Sequence, residues 1–414
     1  MQSPTPAKPS WSHWRIVELG LKLNQRLNEL GSPALAVVGL TLAAYLFYIG
    51  LKLAIGDFDV SRFITAGDMF TNASQLSTPI HILPHSAGYD GQFYYRLALD
   101  PFTRQELDHG IRLDNPPFRM QRIGYPLIVW LLSWGGTVAV PWLMVLVNLT
   151  AIGVIAFLGA KIVAQFQQSP AWALLLAFYP GLVVSLSRDL AECVALALTL
   201  AAIYSAQSRR HLLAGLLGIV AVLCRETTLL VLLGFGVMQL FEARTNTWKT
   251  NWLWYLLPPA AFLGWQGWLI HWWDQPPHSG GLQDLGVPLV GYFKLLWNAL
   301  FQPGLFSPNP LADGLMRAYT LIAALGAGLT LILTLPRLAR APITLAIPWT
   351  AYAILMMCLS NVLWLSPGEF LRAFTETYAL SILIAAATAS TRAGKWLAIY
   401  WAIVMVPTLV VFLR

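Results

Sequence analysis

Apolar stretches of about 20 residues recur along nearly the whole chain, separated by short polar turns, and they predict membrane-spanning helices. Lipid offers backbone amides no hydrogen-bond partner, so each stretch must be helical. The first runs from Ala34 to Ile55. The later ones cover Thr137 to Ala160, Ala171 to Ser187, Ala191 to Ala206, Leu212 to Leu223 and Thr227 to Phe241. They continue with Trp252 to Trp272, Leu315 to Pro336, Pro342 to Leu363, Tyr378 to Ser390 and Trp396 to Leu413. The reading is an all-α, polytopic transmembrane bundle of about eleven spans.

Two segments break the pattern. Residues 56–122 carry Asp57, Asp59, Asp68, Asp90, Asp100, Asp108 and Asp114 with several arginines. This stretch is too polar to span and too long for a plain connector, so it reads as a functional loop with short surface helices. Residues 273–313 are rich in Pro and Gly, and Pro288 to Gln302 is expected to lie on the membrane surface. Ile123 to Trp134 is apolar but short, with Gly-Gly after it. If it only dips into the membrane, Lys161, Arg209-Arg210, Arg244/Lys249, Arg337/Arg340 and Arg392/Lys395 all fall on the cytoplasmic side. That is the positive-inside arrangement, so a surface or re-entrant helix is expected.

Ahead of the first span, Met1 to Ser10 is a Pro/Ser tail, and Trp11 to Leu30 alternates apolar residues with Arg15, Lys22 and Arg26. That spacing predicts an amphipathic helix on an anionic leaflet and a cytoplasmic N-terminus. No cleavable signal is apparent. Residues 1–33 thus form a cytoplasmic tail, and 34–414 one transmembrane domain. Leu212 to Phe241 reads as a hairpin with Arg225-Glu226 at its outer tip; one long helix would bury that pair at mid-membrane. Composition agrees: 57% of residues are hydrophobic and 11% charged, with a net charge of +7, against about a quarter charged in soluble domains. Cys193, Cys224 and Cys358 lie in apolar runs without CxxC spacing, which suggests neither a metal site nor a disulfide framework. No internal repeat is evident, which disfavours inverted-repeat transporters.

With this topology the unusual polar residues gather on the outer side: Asp90, Arg96, Arg119 and Arg122; Arg188, Asp189 and Glu192; Arg225 and Glu226; and Glu369, Arg372 and Glu376. The last three are spaced to share a helical face. Outer arginines run against the usual bias, and a phosphate at the membrane surface would explain them, because guanidinium binds it as a fork. Pairing that merely joins helix ends is the competing account for Arg188, Arg225 and Arg372, while Arg62, Arg104, Arg112 and Arg317 read as solvated. Asp90 stands in Gly88-Tyr89-Asp90-Gly91-Gln92-Phe93-Tyr94-Tyr95-Arg96. An N-cap for the following helix and a catalytic base both want an ionised carboxylate there, so the roles do not exclude each other. His81, His85, His109, His271 and His278 show no ligand spacing.

Asp90-Gly91-Gln92-Phe93-Tyr94-Tyr95-Arg96, in a first outer loop, resembles the Asp–Pro–aromatic–Tyr–Arg motif in the catalytic subunit of oligosaccharyltransferase, a member of the GT-C superfamily of membrane glycosyltransferases. Arg122-Ile123-Gly124-Tyr125-Pro126 resembles their surface helix, and Tyr179-Pro180-Gly181-Leu182 to Ser187-Arg188 the end of their third span. Leu223-Cys224-Arg225-Glu226-Thr227 resembles the charged hairpin break of bacterial mannosyltransferase-like members. The resemblance implies transfer of a sugar from a polyprenyl-phosphate carrier to a hydroxyl of a glycan, lipid or protein acceptor. It implies inversion at the sugar, Asp90 as base, Arg96 as part of the motif, and an active site on the outer face of the plasma (inner) membrane. Nucleic acid has no part in it. In the family an acidic pair several residues beyond the Arg-Ser helps hold a metal. Asp189 and Glu192 follow Arg188 at different spacing, so a divalent ion (Mg or Mn) stays open and no metal ligand is assigned. The other readings are a transporter or flippase of a lipid-linked sugar, and a non-catalytic envelope scaffold.

Overall fold

The computed structural model describes residues 32–245, 250–277 and 284–413. The expected surface helix from Trp11 to Leu30, and His278, lie outside the described residues. The chain opens with α1 (Pro33–Ile55), begun by a proline whose missing N–H costs nothing in a first turn. Tyr48 and Lys52 near its far end both donate to the carbonyl of Phe412, at 2.8 and 2.9 Å, tying the first long helix to the last.

The first loop is ordered by short elements. Strand β1 (Ala66–Gly67) pairs in parallel with β2 (Ile82–Leu83) and precedes α2 (Gly91–Leu99), while β3 (Leu107–Asp108) and β4 (Ile111–Arg112) form a tight antiparallel turn before α3 (Pro116–Met120). Gln92 is fully buried and fixes these pieces together. Its carbonyl accepts from Gly67 N at 3.1 Å and from Thr71 Oγ1 at 3.3 Å, and its amide donates to Ala87 O at 2.7 Å. Its neighbour Gly91 sits where a methyl group would lie 2.2 Å from Arg188 O and 2.6 Å from Ile64 O.

Helix α4 (Gly124–Ser133) has 10 residues and ends at Trp134, which takes a left-handed φ of 50°. It packs on α2, on α5 (Val140–Gln165) and on α9 (His211–Cys224). Its length fits the short surface or re-entrant element expected from Ile123 to Trp134. The expected span from Ala171 to Ser187 is instead two pieces, α6 (Trp172–Ala177) and α7 (Pro180–Ser187). Pro180 cannot donate to the preceding turn and starts a new helix. The break swings the Tyr179 ring out to donate to Leu371 O at 2.8 Å.

Helix α8 (Glu192–Gln207) packs along α9, and α10 (Leu229–Thr245) follows after a 3-10 turn, Glu226–Thr228. The pair α9/α10 is a hairpin with Arg225-Glu226 at its tip. A methyl group on Gly218 would touch Leu232, and Tyr255 bonds His211 at 2.8 Å while stacking on Phe235. The Gly218–Leu232 contact, 14 residues apart along the chain, brings the two arms side by side. The chain continues through α11 (Leu257–Trp273) and α12 (Val290–Phe301), which exposes Phe293, Trp297 and Phe301. It closes with α13 (Pro310–Thr334), α14 (Ile343–Met357), α15 (Pro367–Ala373), α16 (Thr375–Ala387) and α17 (Thr391–Leu413). α14 stops at Met357 and not at Leu363. The chain beyond it pairs with residues 284–289, through Ser360 N to Asp284 O and Gly286 N to Cys358 O, each 2.7 Å.

Among the described residues, four helical stretches are long and apolar enough to cross a membrane, or five if α15 and α16, bent by 51°, count as one. The eleven or so spans expected from apolar runs therefore include helices such as α8, α9 and α14 that are too short to cross unaided. Proline, charged tips and 3-10 turns cut the runs before they reach full length.

Gly91→Ala is expected to destabilise the protein by about 1–3 kcal/mol, because the added methyl must push apart two backbone carbonyls. Thermal unfolding of the purified variant in detergent checks this; an unchanged Tm would mean the contact with Arg188 is loose.

Candidate active site

Asp90 immediately precedes α2 in helical geometry and does not cap it with its side chain. The carboxylate turns outward to two arginines. Oδ1 accepts from Arg119 Nη1 at 2.7 Å, and Oδ2 from Arg372 Nη1 at 2.6 Å. These partners stand 29 and 282 residues away along the chain.

Each arginine has a second carboxylate. Arg119 meets Asp114 as a fork, Nε to Oδ1 at 2.7 Å and Nη2 to Oδ2 at 2.6 Å, with its guanidinium over the Phe93 ring at 4.2 Å. This fork arises because Asn115 caps α3 by accepting from Phe118 N, which leaves Asp114 to swing back over the helix. Arg372 lies in the last turn of α15 and donates to Glu369 Oε2 at 2.9 Å. Its Nη1 is also 3.8 Å from Glu192 Oε1.

Two further arginines extend the network. Arg122 binds Glu226 as a fork at 2.9 and 2.6 Å, joining the loop to the hairpin tip. Arg225 lies 3.3 Å from Glu376 and 3.7 Å from Glu192 and donates to Arg372 O at 3.2 Å. The face expected for Glu369, Arg372 and Glu376 is formed in part: Glu369 and Arg372 pair across one helical turn, while beyond the bend between α15 and α16 Glu376 faces Arg225.

Asp90, Arg119, Arg122, Glu192, Arg225, Glu226, Glu369 and Arg372 all line one cavity of about 1130 Å³. Its other walls are apolar: Phe262, Leu263 and Ile270 from α11, Leu355 and Met356 from α14, and Leu359, Val362 and Leu363 beyond it. Tyr89, Asp114 and Asp284 also face it. These residues were not singled out as site residues in the sequence. Asp114 is recoverable only as the acid before the capping Asn115-Pro116; nothing in the sequence marks Asp284.

Three expected site residues are elsewhere. Arg96 is fully buried and donates to Gln105 O beneath the loop. Six residues along a helix turn it about 240° away from Asp90, so it anchors the loop and does not reach the cavity. Asp189, with φ of 48°, is buried in the sharp turn between α7 and α8, on the Lys52 side of the bundle. Arg188 stands behind the cavity wall, its guanidinium 3.9 Å from the Tyr89 ring and 4.8 Å from Phe412. Because Glu192 faces the cavity and Asp189 does not, the pair is not brought together around one ion. Among the described residues no group of three or more His, Cys, Asp or Glu is arranged to hold a metal.

Burial alone would raise the Asp90 pKa, but the guanidiniums of Arg372 and Arg119 outweigh it and hold the carboxyl well below its usual range. Asp284 differs. Partial burial pushes it upward, with Arg122 and Arg372 acting in the opposite sense. One cavity thus holds a firmly ionised carboxylate and one shifted toward the neutral form. The arrangement can bind an anion beside a carboxylate and hold an apolar chain alongside. No family model, curated protein or solved structure matches the chain.

Because its folded-state pKa is depressed, Asp90 contributes stability above its unfolded value of about 3.9, lost as pH falls through the folded value. Asp90→Asn should therefore lower Tm at neutral pH, and the gap to the native protein should close in strong acid. A constant gap across pH would show that the clamp is not ionic.

Proposed function

We propose that this protein is an integral-membrane glycosyltransferase of the GT-C type. It moves a sugar from a polyprenyl-phosphate carrier to an acceptor hydroxyl on the extracytoplasmic side, with inversion. One observation carries the reading: a single cavity joins an arginine-rich end that surrounds Asp90 to an apolar wall built by α11 and α14. An amphipathic donor with a phosphate and a long hydrocarbon tail has those two needs. The motif likeness around Asp90, Arg122 and Arg225 supports the same class.

In this reading the acceptor oxygen attacks the anomeric carbon while the bond from that carbon to the phosphate oxygen breaks. The phosphate leaves with the electron pair. A fixed arginine stabilises the charge that develops there, and Asp90 takes the acceptor's proton. Arg372 bonds Asp90 directly, and Arg225 donates to the backbone carbonyl of Arg372. The outer side follows from the positive-inside loop pattern, which also puts the tip of α9/α10 outside.

Mass spectrometry of lipid-linked sugars and surface glycans, with native protein and with Asp90→Asn, tests the reaction. Loss of a positioned base costs about 100-fold or more in rate, so the variant should accumulate the donor and lack the product. Full transfer in Asp90→Asn would remove Asp90 from the role. Sugar movement across proteoliposomes with no new glycosidic bond would replace transfer by transport. Cysteines placed singly at exposed positions, such as Phe58 and Trp134, should react with an impermeant thiol reagent added outside intact cells. Labelling only after lysis would put the cavity on the cytoplasmic side.

A further inference from the structure

Both oxygens of Asp90 are occupied by arginines, so with the clamp closed this carboxylate cannot readily receive a proton. The two arginines are not held alike. Arg119 makes two bonds to Asp114 and lies on Phe93, so it keeps its own partner and its place whatever Asp90 does. Arg372 has one bond to Asp90 and one to Glu369, and its guanidinium is 5.0 Å from the Tyr89 ring. It sits at the bend between α15 and α16 and faces the cavity. If it turns from Asp90 it remains paired with Glu369.

We infer that Arg372 is a transferable clamp: an anionic phosphate entering the cavity takes its Nη1 from Asp90, and Asp90 then becomes able to hold a proton. This deepens the proposed transfer reaction and rests on a phosphate binding in this cavity. The base is thereby idle until the donor has arrived.

The groups facing Asp90 fix the direction of the effect. Tyr89 and Tyr94 come from its own segment, Arg119 and Arg122 from α3 and its end, Glu192 from α8, Glu369 and Arg372 from α15, and Asp284 from the far wall. Among the described residues, only Arg119 and Arg372 bond Asp90 through their side chains. Withdrawing Arg372 and adding a phosphate replaces a neighbouring cation by an anion, so Asp90 gains affinity for a proton. Arg119 remains, which keeps the carboxylate in place.

Calorimetry with farnesyl phosphate as probe tests this on the full chain in detergent. Binding is measured at one mildly acidic pH in two buffers of different ionisation enthalpy, which counts protons taken up. Native protein should take up more protons than Asp90→Asn, and the difference cancels any proton exchanged by the probe itself. Infrared difference spectra of the native protein should show a protonated carboxyl band appearing with the probe. That measurement needs no variant to fold. Arg372→Ala should bind the probe about tenfold or more weakly, having lost a charge-assisted bond. Binding without extra proton uptake and without the carboxyl band would overturn the transferable clamp and leave the phosphate reading standing. Absence of probe binding would overturn both.

Discussion

One carboxylate between two guanidiniums holds the two halves of this protein together on the side where the cavity opens. Asp90 comes from the first loop, Arg119 from the end of the same loop, and Arg372 from the fifteenth helix. The contact joins segments 282 residues apart, so it can form only once the bundle has closed. Upstream, the loop is held by contacts of its own. Gln92 locks β1 to α2, and Gly91 lets α2 sit directly on the backbone of Arg188. Small errors in either would move the carboxylate away from its partners.

The charges around that contact do not sum to the simple phosphate trap that outer arginines suggest. The cavity is lined by Arg119, Arg122, Arg225 and Arg372, but also by Asp90, Asp114, Glu192, Glu226, Asp284 and Glu369. With every group ionised, acids exceed arginines by two. A free anion would therefore meet repulsion as well as attraction. The partners are arranged unequally: Arg122 and Arg119 are neutralised by forks, whereas Arg372 is shared among Asp90, Glu369 and Glu192. An incoming phosphate gains most from the arginine whose acids are spread out, and it gains more again if a carboxylate such as Asp284 carries a proton. Arg188, behind Tyr89, adds a further positive charge to that wall without bonding any carboxylate among the described residues.

How much of this was written in the sequence differs by element. The hairpin at Arg225-Glu226 was legible because basic loops bracket it and a buried charge pair at mid-helix is costly. The short α4 was legible from its length and its Gly-Gly stop. Asp90 stood out because Gly88 to Arg96 puts an acid, an arginine and a row of rings within one or two helical turns of a polar loop. Arg96 was misplaced because the motif gives order along the chain but not helical phase, and six residues turn it away. Asp189 was misplaced because a left-handed turn between α7 and α8, invisible in an apolar run, separates it from Glu192. The apolar wall of the cavity could not be read at all. Phe262, Leu263, Leu355 and Met356 look like any other residues of a membrane helix until α11 and α14 are set beside the loop.

The placement of the network at helix ends follows from the same need for pairing. Arg225 closes α9 and Arg372 stands in the last turn of α15, where the helix dipole favours a cation. Glu192 opens α8 and Glu376 opens α16, where it favours an anion. These helices are short. α8 has 16 residues and α9 has 14, about 24 and 21 Å at about 1.5 Å per residue. Both fall short of a hydrocarbon core about 30 Å thick. If their basic ends lie at the cytoplasmic surface, their charged ends stop several ångströms below the opposite one. Charges at that depth must be paired with one another, and the loop must fold down to cover them. In the transfer reaction proposed above, a cavity recessed in this way would let the donor keep its tail along the apolar wall while its phosphate meets Arg372.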